Sequence, residues 1–117
     1  MISRVSLFAA AAAIAAALTG SAGAAIPTLH ALVSDPVNIS LTTGGKKVST
    51  LKPGRYTIVV RDMATDHDFH LTGPGVNKAT TVGGTGTQTW RVILRKGTYK
   101  YVCDPHAVFM KGSFTVR

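Results

Sequence analysis

The chain has 117 residues, enough for one domain, and carries thirteen Lys and Arg against five Asp and no Glu, a net charge of +8. Its single Cys, Cys103, excludes an internal disulfide framework. One apolar stretch and no second one excludes a polytopic membrane protein, and there is no heptad pattern or low-complexity tail.

The first 25 residues hold one charge, Arg4, an apolar run from Leu7 to Leu18, and then the small residues Thr19–Ala24. This is the layout of a secretory signal peptide, with Ala22-Gly23-Ala24 as the cleavage motif. The run falls short of the roughly 20 residues that cross a bilayer comfortably, which leaves an uncleaved anchor as the alternative. The expectation is a signal peptide over 1–24 and one mature, monomeric domain over 25–117, exported to the periplasm or the extracellular space. A domain of 93 residues buries a modest core and usually needs a disulfide or a metal. With no second Cys, the thiol of Cys103 must pair with another chain, lie inert, react, or bind metal.

The basic residues are scattered from Lys46 to Arg117, and only Lys46-Lys47 and Arg95-Lys96 are adjacent. Aromatics are not interleaved with them as on a stacking platform, so no nucleic-acid partner is expected. An acidic partner protein, or at most peripheral contact with an anionic membrane or envelope surface, is the expected counterpart.

From Val37 onward the chain reads as strands and turns. Thr and Val supply 25 of the 93 residues, and Gly44-Gly45, Pro53-Gly54, Gly73-Pro74-Gly75, Gly83-Gly84 and Lys96-Gly97 punctuate them. Apolar residues alternate: Val37, Ile39 and Leu41; Tyr56, Ile58 and Val60; Phe69 and Leu71; Trp90, Val92 and Leu94; Tyr99 and Tyr101; Phe114 and Val116. Arg55, Arg61, Arg91, Arg95, Lys100 and Arg117 take the opposite faces, while Asp62 and Asp66 read as solvated loop residues. The prediction is an all-β protein, an antiparallel Greek-key β-sandwich of seven or eight short strands.

The same alternation sorts the chemistry-bearing residues. His67 shares parity with Phe69 and Leu71 and points inward; His70, with Asp68 and Thr72, points to solvent. Cys103 shares parity with Tyr99 and Tyr101, so its sulfur also points inward at a strand end. His106 and Met110 follow in a loop shaped by Pro105. A thiolate, two imidazoles and a thioether suit a soft or borderline metal. Two His and one Cys with a weak axial Met describe a blue-copper site, and zinc could use the same donors.

The run Gly97-Thr98-Tyr99-Lys100-Tyr101-Val102-Cys103-Asp104-Pro105-His106, continuing to Met110-Lys111-Gly112, resembles the ligand loop of the cupredoxins, in their plastocyanin, amicyanin and pseudoazurin branch. His67-Asp68-Phe69-His70-Leu71 is similar to the strand carrying that family's first ligand. The resemblance spans Val37 to Arg117 and implies a cupredoxin sandwich. It also implies one type 1 copper held by His67, Cys103 and His106, with Met110 axial. Two departures stand out: Asp68 replaces the usual Asn after the first ligand, and three residues separate His106 from Met110 where better-known members have two or four.

The expected function is single-electron transfer by an exported copper protein, with a redox partner docking near His106. Pro105, Ala107 and Val108, together with Pro74 and Val76, are expected around that histidine's edge. A copper chaperone or scavenger of the envelope is the alternative. An enzyme using Cys103 as nucleophile with His106 and Asp104 is not expected, because neighbours on one short loop are poorly placed as nucleophile and base and no oxyanion hole is recognisable.

Overall fold

Alternating burial along the strands builds two sheets that close on each other in a computed structural model, which describes residues 25–117; the signal-peptide reading lies outside them. The strands are β1 (Thr28–Ser34), β2 (Asn38–Thr43), β3 (Lys46–Lys47), β4 (Thr50–Leu51), β5 (Gly54–Asp62), β6 (His70–Gly73), β7 (Val76–Ala79), β8 (Gly86–Leu94), β9 (Gly97–Val102) and β10 (Lys111–Val116). One sheet has the order β3-β2-β1-β5-β8 and the other β4-β10-β9-β6-β7. The fold is a β-sandwich, and its only helical element among the described residues is a 3-10 turn over Asp104–His106.

Alternation fills the space between the sheets. Along β5, Tyr56, Ile58, Val60 and Asp62 are buried, and along β8, Trp90, Val92 and Leu94. Tyr99 stacks on Phe114 with ring centroids 5.1 Å apart, and Phe69 on Tyr101 at 5.4 Å. Two glycines make room for these rings. A Cβ on Gly112 would overlap the ring of Tyr101, and one on Gly73 the ring of Tyr99. Tyr99 accepts a hydrogen bond from the Arg95 backbone N–H at 2.8 Å, and its hydroxyl lies 3.0 Å from the Arg95 carbonyl and 3.2 Å from that of Pro74. Tyr99 thus forms a tyrosine corner, its hydroxyl tied back to the backbone four residues upstream.

Several details depart from the sequence reading. The sheets are mixed: β1 runs parallel to β5 and β4 parallel to β10. The alternation of β1 in Thr28–Ser34 and the short edge strand β7 were not foreseen; β7 buries only Val76. Val37 is 48% exposed in the turn before β2. Asp62 is buried, accepting from the Ala64 N–H and the Thr80 hydroxyl.

The strands define two poles. β5 and β1 both run toward one pole, where the loop carrying His67 begins; β9 ends there at Val102, next to Cys103. The opposite pole holds the β2–β3 turn, the start of β5, the β6–β7 turn and the β8–β9 turn. Pro74 in the β6–β7 turn packs against Gly97, so Pro74 and Val76 lie at the far pole and not beside His106.

Candidate metal centre

Three segments meet at the first pole: the β5–β6 loop with His67, the end of β9 with Cys103, and the 3-10 turn with His106. Backbone hydrogen bonds close the ligand loop on itself. The Cys103 N–H donates to the Met110 carbonyl at 3.0 Å, the His106 N–H to the Cys103 carbonyl at 3.0 Å, and the Met110 N–H to the His106 carbonyl at 2.8 Å. Pro105 suits the turn because a fixed φ and a missing N–H cost nothing at its start. Met110 is fully buried at the loop's base.

His67 and Cys103 are fully buried, while His106 keeps partial access to solvent. Cys103 Sγ lies 3.6 Å from His67 Nδ1 and 3.4 Å from His106 Nδ1, and the two nitrogens are 3.2 Å apart. The point equidistant from these three atoms lies about 2.0 Å from each, within the range of bonds from nitrogen and sulfur to a small transition-metal ion (about 2.0–2.3 Å). The spacing of the donor set therefore fits one small transition-metal ion. His67 Nε2 donates to the Pro36 carbonyl at 3.0 Å, which fixes the tautomer with Nδ1 free to ligate. The carboxylates of Asp35 at 3.2 Å and Asp66 at 3.7 Å reinforce that polarity.

Burial pushes the Cys103 thiol up, although backbone N–H groups of Asp68 and His106 point at the sulfur and oppose the rise. A raised thiol is the reverse of an activated nucleophile. A metal cation held by His67, Cys103 and His106 would supply the positive charge that the thiolate needs.

A second layer holds the two ligand segments together. The Asp104 backbone N–H donates to Asp68 Oδ1 at 2.6 Å, tying the residue after His67 to the residue after Cys103. Asp104 in turn accepts from His70 Nδ1 at 2.9 Å, and His70 Nε2 faces Asn77 Oδ1 at 2.6 Å. Burial, and then the shared hydrogen bond with Asp104, push the Asp68 carboxyl up from 3.8 to about 6. The Asp68 and His70 hydrogen bonds hold Asp104 below the usual carboxylate range, and the Asp104 bond raises the His70 imidazole. Two parity assignments change as a result. Asp68 is 2% exposed, not solvated, and His70 is partly buried within this chain. Strict alternation fails here because residues 63–69 form a loop, and β6 starts only at His70. The Pro36 carbonyl, Asp35 and the Asp104–His70 pair escaped the sequence reading, since nothing local marks a carbonyl or a distant loop as a ligand's partner.

The edge of His106 is bordered by Phe109, whose ring centroid lies 5.5 Å from the imidazole. Phe109 is 59% and Val108 84% exposed, and Pro105 and Ala107 are also exposed.

A family model of copper-binding proteins, the plastocyanin/azurin family, matches residues 30–117. The chain belongs to that family; the match does not single out one branch of it. Reduced rusticyanin shares the fold with a TM-score of 0.56 at 20% identity, over 77% of this chain and 78% of that one. Rusticyanin from Thiobacillus ferrooxidans gives a TM-score of 0.54 at 22% identity, over 77% and 76%. Auracyanin from the photosynthetic bacterium Roseiflexus castenholzii gives 0.53 at 23%, over 78% of this chain and 97% of that one. No curated protein sequence matched the chain. The cofactor is copper.

Proposed function

We propose that the protein is an exported carrier of single electrons, with His67, Cys103 and His106 as equatorial copper ligands and Met110 as the axial one. The observation that carries this reading is the buried triangle of one sulfur and two imidazole nitrogens, sized for one ion. Bound copper supplies the one-electron couple Cu(II)/Cu(I). The chain's own part is to hold the donors in one arrangement for both charges. The closed Cys103–Met110 loop, the Pro36 bond to His67 and the Asp68–Asp104 tie resist rearrangement, which keeps the cost of changing charge low. His106 is the ligand with access to solvent, and its apolar surround of Pro105, Ala107, Val108 and Phe109 suits brief docking of a redox partner by exclusion of water. Rusticyanin is described as a copper protein, and both it and auracyanin are described in reduced forms, which supports redox use of this fold.

Export with removal of residues 1–24 belongs to the same reading and rests on the Ala22-Gly23-Ala24 motif. The test of function is to add Cu(II) to the purified protein and record its visible spectrum. Intense thiolate-to-copper charge transfer that bleaches on reduction is expected. A pale or colourless complex would instead assign the site to copper storage or to zinc.

A further inference from the structure

The net charge of the chain conceals a sharp separation. All five Asp lie at the metal pole. Asp35 and Asp66 face His67, Asp68 and Asp104 tie the ligand loops, and Asp62 ends β5. There is no Glu. At the opposite pole the turns and strand ends carry Lys46, Lys47, Lys52, Arg55, Arg95, Lys96 and Arg117, all exposed. Among the described residues no Lys or Arg takes part in an ion pair with a carboxylate. Seven cations with no acidic side chain among them make this pole a strongly positive cap, roughly 27 Å from the metal pole along the nine residues of β5.

Apolar residues sit within the cap. Ile93, 59% exposed, lies on β8 between Arg91 and Arg95, and Ile26, 52% exposed, precedes β1. Both line a shallow groove of about 430 Å³ with Arg55 and Arg91. Exposed apolar side chains ringed by arginines match the boundary between lipid headgroups and acyl chains. They match nucleic acid poorly, because every Tyr and Trp and every Phe except Phe109 among the described residues is buried, and Phe109 is at the other pole. Connectivity gives a second, independent argument. The Pro27 carbonyl accepts from the Thr57 N–H near the start of β5, so the chain enters the domain at the basic pole. The sequence ahead of it, with its apolar run from Leu7 to Leu18, is joined at this pole and at no other.

We propose that the basic pole is a membrane-facing surface that binds anionic phospholipid and so turns the metal pole, with the His106 edge, away from the bilayer. The charge separation and the groove carry the proposal once residues 1–24 are removed, the connectivity argument applies only while they are attached, and neither depends on what metal fills the site.

Co-sedimentation of the purified chain with vesicles of phosphatidylcholine, with and without phosphatidylglycerol, tests it. Two variants carry the same number of reversals. One changes the pole (Lys46→Glu, Lys47→Glu, Arg95→Glu, Lys96→Glu) and the other the rest of the surface (Arg61→Glu, Lys78→Glu, Lys100→Glu, Lys111→Glu). Each basic residue near an anionic surface is worth about five-fold in partitioning. Binding to phosphatidylglycerol vesicles that is released by salt is expected, more than about ten-fold weaker in the pole variant and within about three-fold of the parent in the other. Equal loss in both variants would mean that net charge alone acts, and would overturn the proposal. So would equal, salt-insensitive binding to pure phosphatidylcholine, or tighter binding to polyglutamate or duplex DNA than to the vesicles. If the reversals impair folding, the milder Lys46→Gln, Lys47→Gln pair is compared with Lys100→Gln, Lys111→Gln in the same way. Orientation is read by fluorescence: Ile93→Trp should shift to the blue on vesicles and Val108→Trp should not. The opposite pattern would place the metal pole against the lipid.

Discussion

Asp68 is a carboxyl where the family resemblance leads one to expect an amide, and the structure shows what the exchange costs. Its Oδ1 accepts the Asp104 N–H, as an amide oxygen would, but its second oxygen must share a proton with the Asp104 carboxylate to avoid repulsion in a buried setting. Folding therefore raises its pKa from 3.8 to about 6. Between those values the unfolded chain loses the proton while the folded chain keeps it. The copper-free protein should thus lose stability as pH rises across that window, and the raised His70 imidazole adds a further fall above it. Asp68→Asn mimics the protonated form. Its unfolding midpoint in urea should show no such fall between pH 4 and 6 and should exceed the parent's at pH 7; an unchanged midpoint at pH 7 would mean that Asp68 is ionised without penalty. Among the ligands themselves, Cys103→Ser should abolish the charge-transfer band. His67→Ala should weaken copper binding by more than about 100-fold, since losing even a partner of a ligand costs about 10–100-fold. Met110→Leu should keep the colour and raise the reduction potential, because losing a fourth donor disfavours Cu(II), which prefers more ligands, more than Cu(I); titration against redox dyes reads the shift. Inward parity at the end of β9 made Cys103 legible in the sequence, whereas His67 was legible only beside a loop that carries Cys103 and His106, since it sits in a loop where its inward position matches the parity count by coincidence. Asp68 was misassigned for a local reason: the chain from Met63 to Phe69 is loop, and parity counted backward through a loop carries no information.

At the scale of elements, the alternating strands β5, β8, β9 and β10 were legible because each buries every second side chain. What the pattern could not reveal was direction. Parallel pairing of β1 with β5 depends on a crossover between distant segments, and alternation is the same for both orientations. β1 alternates at Leu29, Ala31 and Val33, but no glycine turn directly precedes it to mark its start in the sequence. Glycine at 112 had a meaning that only pairing shows. It stands opposite Tyr101, whose ring covers it and stacks on Phe69, two residues from the ligand His67. Gly112→Ala must push that ring aside. Overpacking of this kind costs about 1–3 kcal/mol, and here the displaced ring leans on Phe69, in the loop that carries His67. We expect a lower melting temperature in the copper-free protein together with a shifted copper spectrum. Tyr99→Phe removes the corner hydroxyl at the far pole and should cost about 1–3 kcal/mol with no change of spectrum. Equal spectra for both variants would show that the Tyr101 stack does not reach the metal.

For the whole molecule, net charge suggested steering of an acidic partner toward His106, but the cations that produce it stand mostly at the other pole. At the metal pole the exposed charges include Asp35, Asp66 and Asp104 together with the single cation Lys111 at the start of β10. At physiological salt the Debye length is about 8 Å, so a cap roughly 27 Å away contributes little to encounters at the metal pole. Near 0.01 M salt that length grows to about 30 Å and the cap becomes visible across the molecule. Electron exchange with an acidic partner should therefore depend weakly on ionic strength around physiological values and rise only in dilute buffer. Docking should rest on the apolar rim instead. Val108, 84% exposed beside a ligand loop whose own hydrogen bonds do not involve its side chain, is the position to change. Val108→Asp places a carboxylate where water must leave, and should slow exchange with a protein partner by about ten-fold or more while the copper spectrum stays as it was. The reversals at Lys46, Lys47, Arg95 and Lys96 should leave that exchange rate within about two-fold in physiological salt. Stopped-flow kinetics over a range of salt concentrations separates the two. A rate that follows the far-pole charges and ignores Val108 would move the docking site off the His106 edge.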